Sequence, residues 1–360
     1  AARATLGPLG IARGDVVVGT AAYRLAALAA LAILPSTSTF ACLGGHHRVD
    51  VYVELLERLA PKAVLVPPDR SHPIAVAAAS LGLAEILFSP DAGGEAGAFD
   101  LTVLRTTASL ERPPRAERDW PLIDVTSGTT GRPKLVPHTD GQLLAQARDM
   151  GAWFAMGPSD VAAHSAPVGF ALGKRTSFML AVLNGGGAHV VPEADAAALL
   201  RAIDEDRVTY VPATFAVHRE LLALAAGRAR GRSSRLRFLS VSSGALGADE
   251  LDALEDTFGV PAVAIYGSTE VGNATMQPLE RARRTSGSAG YAVGCEVRLV
   301  ADGRVVQGPD AVGEVQVRGP QVIPRYVDDP ARDREAFVDG WYRMGDIGSR
   351  NARGELFIHG

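Results

Sequence analysis

Apolar positions along the first two thirds of the chain follow two alternating patterns. Short unbroken apolar runs such as "DVVVG" (15–19) and "KAVLVPP" (62–68) read as strands buried on both faces. Between them lie stretches of helical spacing. "VDVYVELLERLA" (49–60) is amphipathic, whereas "LAALAALAIL" (25–34) is apolar all round and reads as a buried helix. The order then repeats. Helices are expected at 21–34, in "PIAVAAASLGL" (73–83), at 142–154, 195–206 and 217–224, and in "ADELDALEDTF" (248–258). Strands are expected in "EILFSP" (85–90), "GGAHVVP" (186–192), "VTYVPA" (208–213), "LRFLSVSS" (236–243) and "AVAIYG" (262–267). Such alternation predicts an α/β fold with largely parallel sheets covered by helices.

After about residue 275 the pattern changes. "CEVRLVADGRVV" (295–306) alternates around Asp302-Gly303, a strong hairpin signal, and "GEVQVRGPQV" and "GELFIHG" add further short strands. We expect two α/β subdomains, 1–160 and 161–274, followed by a small antiparallel sheet or β-barrel over 275–360. No internal repeat is evident. Pro113-Pro114 and "AGRARGRSSR" (226–235) read as exposed connections.

Composition narrows the class. A chain of 360 residues is too long for one ordinary core, and 47% hydrophobic with 21% charged residues describes a globular protein. A net charge of -4 lacks the basic excess of a nucleic-acid binder. Cys42 and Cys295 are far apart and have no CxxC spacing, which suggests a reducing compartment. The apolar run Leu25–Leu34 is too short to span a bilayer and follows a strand-like segment, not a short basic start. No membrane association and a cytoplasmic location are therefore expected.

The richest chemistry lies in "DVTSGTTGRPK" (124–134). Its glycines let backbone N–H groups approach an anion, Ser127, Thr129 and Thr130 add hydroxyl donors, and Lys134 adds a point charge. Pro133 departs from the P-loop pattern and opposes an immediate helix. From residue chemistry alone, a phosphate loop and a polar turn are equally supported.

"TSGTTGRPK" (126–134) also closely resembles the phosphate loop of the adenylate-forming superfamily: acyl- and aryl-CoA synthetases, nonribosomal peptide adenylation domains and luciferases. Three further resemblances follow in that family's order: "SSGA" (242–245), "YGSTE" (266–270) and "GWYRMGDIG" (340–348). The resemblance implies ATP binding by Thr126, Ser127, Gly128, Thr129, Thr130, Gly131 and Lys134. It adds Ser243, Gly244 and Ala245 along the adenine, Tyr266 and Gly267 against its ring, and Asp346 on the ribose hydroxyls. Thr269 would lie near the α-phosphate and Glu270 on Mg²⁺, so that Lys134, Thr269 and Glu270 carry catalysis. The family usually has Thr where Met344 stands and Gly where Arg325 stands, and neither change removes a ligand.

The implied reaction converts a carboxylic acid and ATP to acyl-AMP and pyrophosphate, with later transfer to coenzyme A or a carrier-protein phosphopantetheine. By the same resemblance, "GELFIHG" is where the family's hinge begins, so the mobile C-terminal domain is expected to be absent and this chain alone to adenylate slowly. "SAPVGFALGKRTSFMLAVLNGGGAHVV" (165–191) falls where the family builds one wall of its acyl pocket. The expected pocket residues are His164, Val168, Gly169, Phe170, Ser242, Gly267, Val271 and Gly272. No acidic residue lies between Pro167 and Gly173, which argues against an amino-acid substrate. "APVGF" (166–170), "PKLVPHT" (133–139) and "GGHHR" (44–48) are most similar to aryl-acid-activating members, and an aryl or related unsaturated acid is expected. Lys174 or Arg175 would suit a dicarboxylate, although the simpler reading is an exposed basic turn at a helix start. A loading domain for a non-amino-acid starter, with an acyl carrier protein as partner, and a non-catalytic nucleotide-binding relative are the alternatives. His46-His47 lacks a second ligand pair for a metal, and His164 reads as a satisfied core residue, with a substrate contact as the alternative.

Overall fold

The apolar runs of the first 140 residues pair into one sheet. In the computed structural model, which describes residues 6–21, 24–45, 47–90, 98–106, 120–126, 133–227, 235–244, 246–309 and 311–360, the chain divides into two compact units. The first contains residues 1–140 with Pro167–Lys174; the second contains Gly141–Ala166 and Arg175–Gly360.

The first unit is built on β1 (Val16–Thr20), β2 (Thr39–Leu43), β3 (Ala63–Val66), β4 (Glu85–Pro90), β5 (Phe99–Arg105), β6 (Leu122–Thr126) and β7 (Lys134–His138). Their order is β5-β4-β3-β1-β2-β6-β7. The interior pairs are parallel, and antiparallel β5 and β7 form the two edges. Every residue of β1, β2 and β3 is buried, which is why these strands show no polar alternation. The helix Val49–Leu59 turns Tyr52, Leu55, Leu56 and Leu59 inward, as its amphipathic pattern requires. Helix Pro73–Ser80 begins with proline, whose missing N–H costs nothing in a first turn, and His72 caps the Ile74 amide.

The second unit has two sheets. The first joins β8 (Val161–His164), β9 (Gly187–Val190), β10 (Tyr210–Thr214), β11 (Phe238–Ser242), β12 (Ala262–Ser268), β13 (Gly272–Met276) and β14 (Tyr291–Ala292) in the order β14-β13-β12-β11-β10-β8-β9. β8 to β12 are parallel, and β13 and β14 are antiparallel. Successive side chains feed opposite cores. Val211, Leu239 and Val241 pack with Leu199, Leu221 and Leu254, whereas Tyr210, Phe238 and Val263 pack with Met150 and Phe154. The ring of Phe238 stacks on Tyr210 at 5.2 Å and on Phe154 at 4.8 Å.

The second sheet contains β15 (Glu296–Ala301), β16 (Arg304–Val306), β17 (Val312–Arg318), β18 (Phe337–Val338), β19 (Trp341–Arg350) and β20 (Leu356–Ile358), all antiparallel. Asp302 and Gly303 form the two-residue turn, with φ of 49° and 72°, the left-handed pair such a turn demands. The expected barrel is not closed. The strand order runs open from β16 to β18 among the described residues.

One element departs from the pattern reading. Residues Leu172–Met179 form π-helical turns that continue as α-helix over Leu180–Leu183. The sequence conceals this because Lys174, Arg175, Thr176 and Ser177 break any apolar period, although all four are buried. Pro113-Pro114 and residues 228–234 of the expected connections lie outside the described residues. No helix among those described is long and apolar enough to cross a membrane.

A buried histidine makes the second unit sensitive to acid. His218, in the helix Phe215–Ala225, is fully buried with Nε2 3.1 Å from the Ser240 carbonyl oxygen. Burial, only partly opposed by that contact, pushes its pKa from 6.5 down to about 4. The unfolded chain takes up this proton below 6.5 while the folded chain resists it to about 4, so stability present above 6.5 is lost as pH falls. Chemical denaturation should show this group contributing a loss of about 2 kcal/mol between about pH 7.5 and 5, and His218→Gln should remove that part of the slope.

Candidate functional site

In the first unit, the hairpin β6–β7 pairs Thr126 directly with Lys134. Both are half-buried, and Arg58 Nη1 donates to the Pro133 carbonyl at 2.6 Å, fixing the second flank of the turn. Ser127, Gly128, Thr129, Thr130 and Gly131 lie outside the described residues. Two residues before Thr126 stands a buried carboxylate. Asp124 Oδ1 is 2.5 Å from Lys174 Nζ, and its Oδ2 is 3.1 Å from His138 Nε2. Val168 and Gly169 are buried, whereas Phe170 is 59% exposed, so its ring is presented outward. A side chain at Gly169 would meet the Gly44 backbone at 2.8 Å.

The expected reading of Lys174 and Arg175 as an exposed basic turn is corrected. Lys174 is fully buried and Arg175 only 5% exposed. Burying an ammonium requires an anion and hydrogen-bond acceptors, and Asp124 and two carbonyls supply them. Of the two histidines considered for metal, His46 lies outside the described residues. The ring of His47 packs edge-on against Tyr52 at 5.4 Å.

In the second unit a hydrogen bond joins the candidate residues on β12 and β19. Tyr266, on β12, donates its hydroxyl to Asp346 Oδ2 on β19 at 2.5 Å. Burial, then the adjacent carboxylate, pushes the Tyr266 pKa upward, so the phenol remains a donor. At Gly267 the pairing with β13 shifts register, and an added Cβ would strike the Gly272 carbonyl oxygen at 1.8 Å. Only glycine fits there. Beyond it, Thr269 accepts at its carbonyl from Arg175 Nη2 at 3.0 Å.

Glu270 is 4% exposed. Tyr326 donates to its Oε1 at 2.8 Å and lies 3.0 Å from the Tyr342 hydroxyl. Burial, followed by the Glu270 charge, raises both phenols well above their ordinary range. They therefore stay protonated and aimed at the carboxylate. Neither tyrosine was identified from the sequence. The signal available was two tyrosines, Tyr326 and Tyr342, preceding Asp346, but only the fold brings them to Glu270.

The remaining expected positions have these placements. Ser242 ends β11 half-buried, with its Oγ shielded from solvent. Ser243 and Gly244 are exposed with φ of 58° and 133°, and Ala245 lies outside the described residues. A side chain on Gly244 would collide with the Phe215 ring at 2.4 Å. Val271 and His164 are fully buried, and Gly272 has φ 67° against the Gln146 side chain. Asp124, Lys174 and Arg175 are the other features whose partners sequence reading did not identify.

The AMP-binding enzyme family model matches residues 2–327. The chain is 28% identical to an oxalate–CoA ligase of Arabidopsis thaliana over 362 residues, covering 98% of this chain and 70% of that protein. It is 34% identical to an indoleacetate–CoA ligase of Aromatoleum aromaticum over 281 residues, covering 73% of this chain and 52% of that one. The fold matches ATP-bound MatB from Rhodopseudomonas palustris with a TM-score of 0.84 at 24% identity, over 99% of this chain and 70% of that chain. The chain thus spans about half to 70% of the length of these proteins.

The Glu270 cluster has a measurable consequence. Tyr326→Phe removes a donor from a buried carboxylate and should cost about 1–3 kcal/mol in urea denaturation. A change within a few tenths of a kcal/mol would mean that this hydroxyl does not support Glu270.

Proposed function

Because the chain belongs to the AMP-binding enzyme family, we propose that it activates a carboxylic acid with ATP, forming acyl-AMP and pyrophosphate. In the whole protein the acyl group would then pass to coenzyme A. The observation that carries this reading lies within the second unit, where Asp346 and Glu270 are each held by a phenol donor. A carboxylate suits the vicinal hydroxyls of a ribose, and a second one suits a hard cation.

The acid is already ionised near neutral pH and needs no general base. Its carboxylate oxygen attacks the α-phosphorus, the bond to the bridging oxygen breaks, and pyrophosphate departs with the electron pair. Catalysis is then positioning and charge stabilisation. Lys134 is assigned to the phosphates that leave, with Thr126 opposite it on the hairpin. Thr269 is assigned to the reacting phosphate and carboxylate, and its carbonyl is fixed by Arg175. Tyr266 holds Asp346 for the ribose.

Mg²⁺ fits the Glu270 carboxylate. Mg²⁺ commonly takes one or two protein carboxylates together with substrate phosphates, and Glu270 would supply that carboxylate. When bound, it offsets phosphate charge.

An aryl or related unsaturated acid is the leading substrate class, supported by the likeness to the indoleacetate–CoA ligase. A dianionic acid is the second reading, and Arg175 favours it. This guanidinium is buried beside Thr269, and the chain also resembles an oxalate–CoA ligase. Lys174 cannot serve that role, because Asp124 already pairs with it. A carrier-protein thiol remains the alternative acceptor.

Pyrophosphate exchange against aryl, dicarboxylic and fatty acids tests the reading. An aryl acid should give exchange, and Lys134→Ala should reduce it roughly 10²- to 10³-fold. Exchange restricted to dicarboxylic acids and lost in Arg175→Met would select the second class. Binding of Mg·ATP without exchange for any acid would indicate a non-catalytic relative.

A further inference from the structure

We infer that Lys174, Asp124 and His138 form a buried brace that positions the segment Pro167–Phe170 together with the root of the Thr126–Lys134 hairpin. All of these residues belong to the first unit. The Lys174 ammonium has three N–H groups and three oxygens around it. Asp124 Oδ1 lies at 2.5 Å, the Gly169 carbonyl at 3.2 Å and the Cys42 carbonyl at 3.3 Å. One cation thus ties together β2, β6 and the turn at Gly169.

The other Asp124 oxygen reaches His138 at 3.1 Å, on the strand that leaves the hairpin. Leu122 pairs with His138 and Thr126 with Lys134, so Asp124, Thr126, Lys134 and His138 share one face of β6 and β7. The brace therefore holds both flanks of the loop from the face that carries Lys134. On the other side it fixes a turn with little freedom. The Phe170 amide donates to Pro167 and the Lys174 amide to Phe170, while Gly169 lies against Gly44 too closely for any side chain.

A packed apolar pair would serve stability as well as a buried ion pair, because desolvation offsets the attraction between the charges. What an apolar pair lacks is direction. The ammonium fixes where the Gly169 carbonyl points, and hence how Phe170 is presented. Cys42 contributes its carbonyl, not its sulfur, since burial holds the thiol up at about 11 despite the nearby lysine. Lys174, Asp124 and His138 are positioning residues, and their relevance to acid and phosphate rests on the adenylation reading above.

The test replaces charge by shape in Asp124→Leu/Lys174→Met and measures amide hydrogen exchange and steady-state kinetics on the full chain. The variant should unfold near the wild-type temperature, yet exchange at Phe170, Lys174 and β6–β7 should rise together by about tenfold or more, while β1 and β3 stay unchanged. The KM for the acid should rise about tenfold with a smaller effect on kcat, as for lost positioning of the bound substrate. Unchanged exchange, or loosening of only one of the two segments, would overturn the brace. If the double variant does not fold, Gly169→Ala displaces the same turn without touching a charge and must loosen β6–β7 as well; a rigid hairpin there would overturn the inference. A wild-type chain that activates no acid would sink the adenylation reading, while the exchange data would still decide the brace.

Discussion

A carboxylate removed from water must be met by donors, and this constraint organises the functional residues in both units. Buried Glu270 is met by Tyr326 and Tyr342 and buried Asp124 by Lys174 and His138, while half-buried Asp346 accepts from Tyr266. Each solution fixes a side chain that would otherwise sample several rotamers. A phenol is well suited to this task at Glu270 and Asp346, because it supplies a directed O–H without a compensating positive charge. Neither phenol neutralises the carboxylate to which it donates. Asp124 is the contrasting case. Its charge is consumed within the protein, which suits support of neighbouring backbone and not ligand contact.

The parallel sheets explain why these groups can be so close yet so far apart in sequence. Tyr266 and Glu270 leave the end of β12, whereas Tyr326 and Asp346 arrive with the antiparallel sheet that follows. The register shift at Gly267 turns the backbone where a side chain would collide with Gly272, and so directs Thr269 and Glu270 away from the strand. Arg175 then holds the Thr269 carbonyl from the buried helical segment. Fold and site are thus linked through backbone contacts as much as through side chains.

Much of this was legible in the sequence, and the reasons are physical. Strands buried on both faces announce themselves as unbroken apolar runs, and the Asp302-Gly303 turn follows from the φ > 0 that both positions require. Tyr266, Glu270 and Asp346 were candidates because their short motifs resemble those of the adenylate-forming superfamily and follow in its order. Partners were not legible. Lys174 and Asp124 are separated by 50 positions and Tyr326 and Glu270 by 56, and neither pairing leaves a periodic trace. The helix start near Lys174 was expected but its burial was not, because Lys174, Arg175 and Ser177 stand where a buried segment ordinarily carries apolar residues.

The central claim is that Asp346, held by Tyr266, recognises the ribose of ATP. Calorimetric titration of the wild-type chain and Asp346→Ala with Mg·ATP and with its 2′,3′-dideoxy analogue tests it most directly. The account predicts that ATP binds the wild type at least about tenfold more tightly than the analogue, as expected for hydrogen bonds to a charged group, and that the preference disappears in Asp346→Ala. Equal affinity of the wild type for the two nucleotides would contradict it.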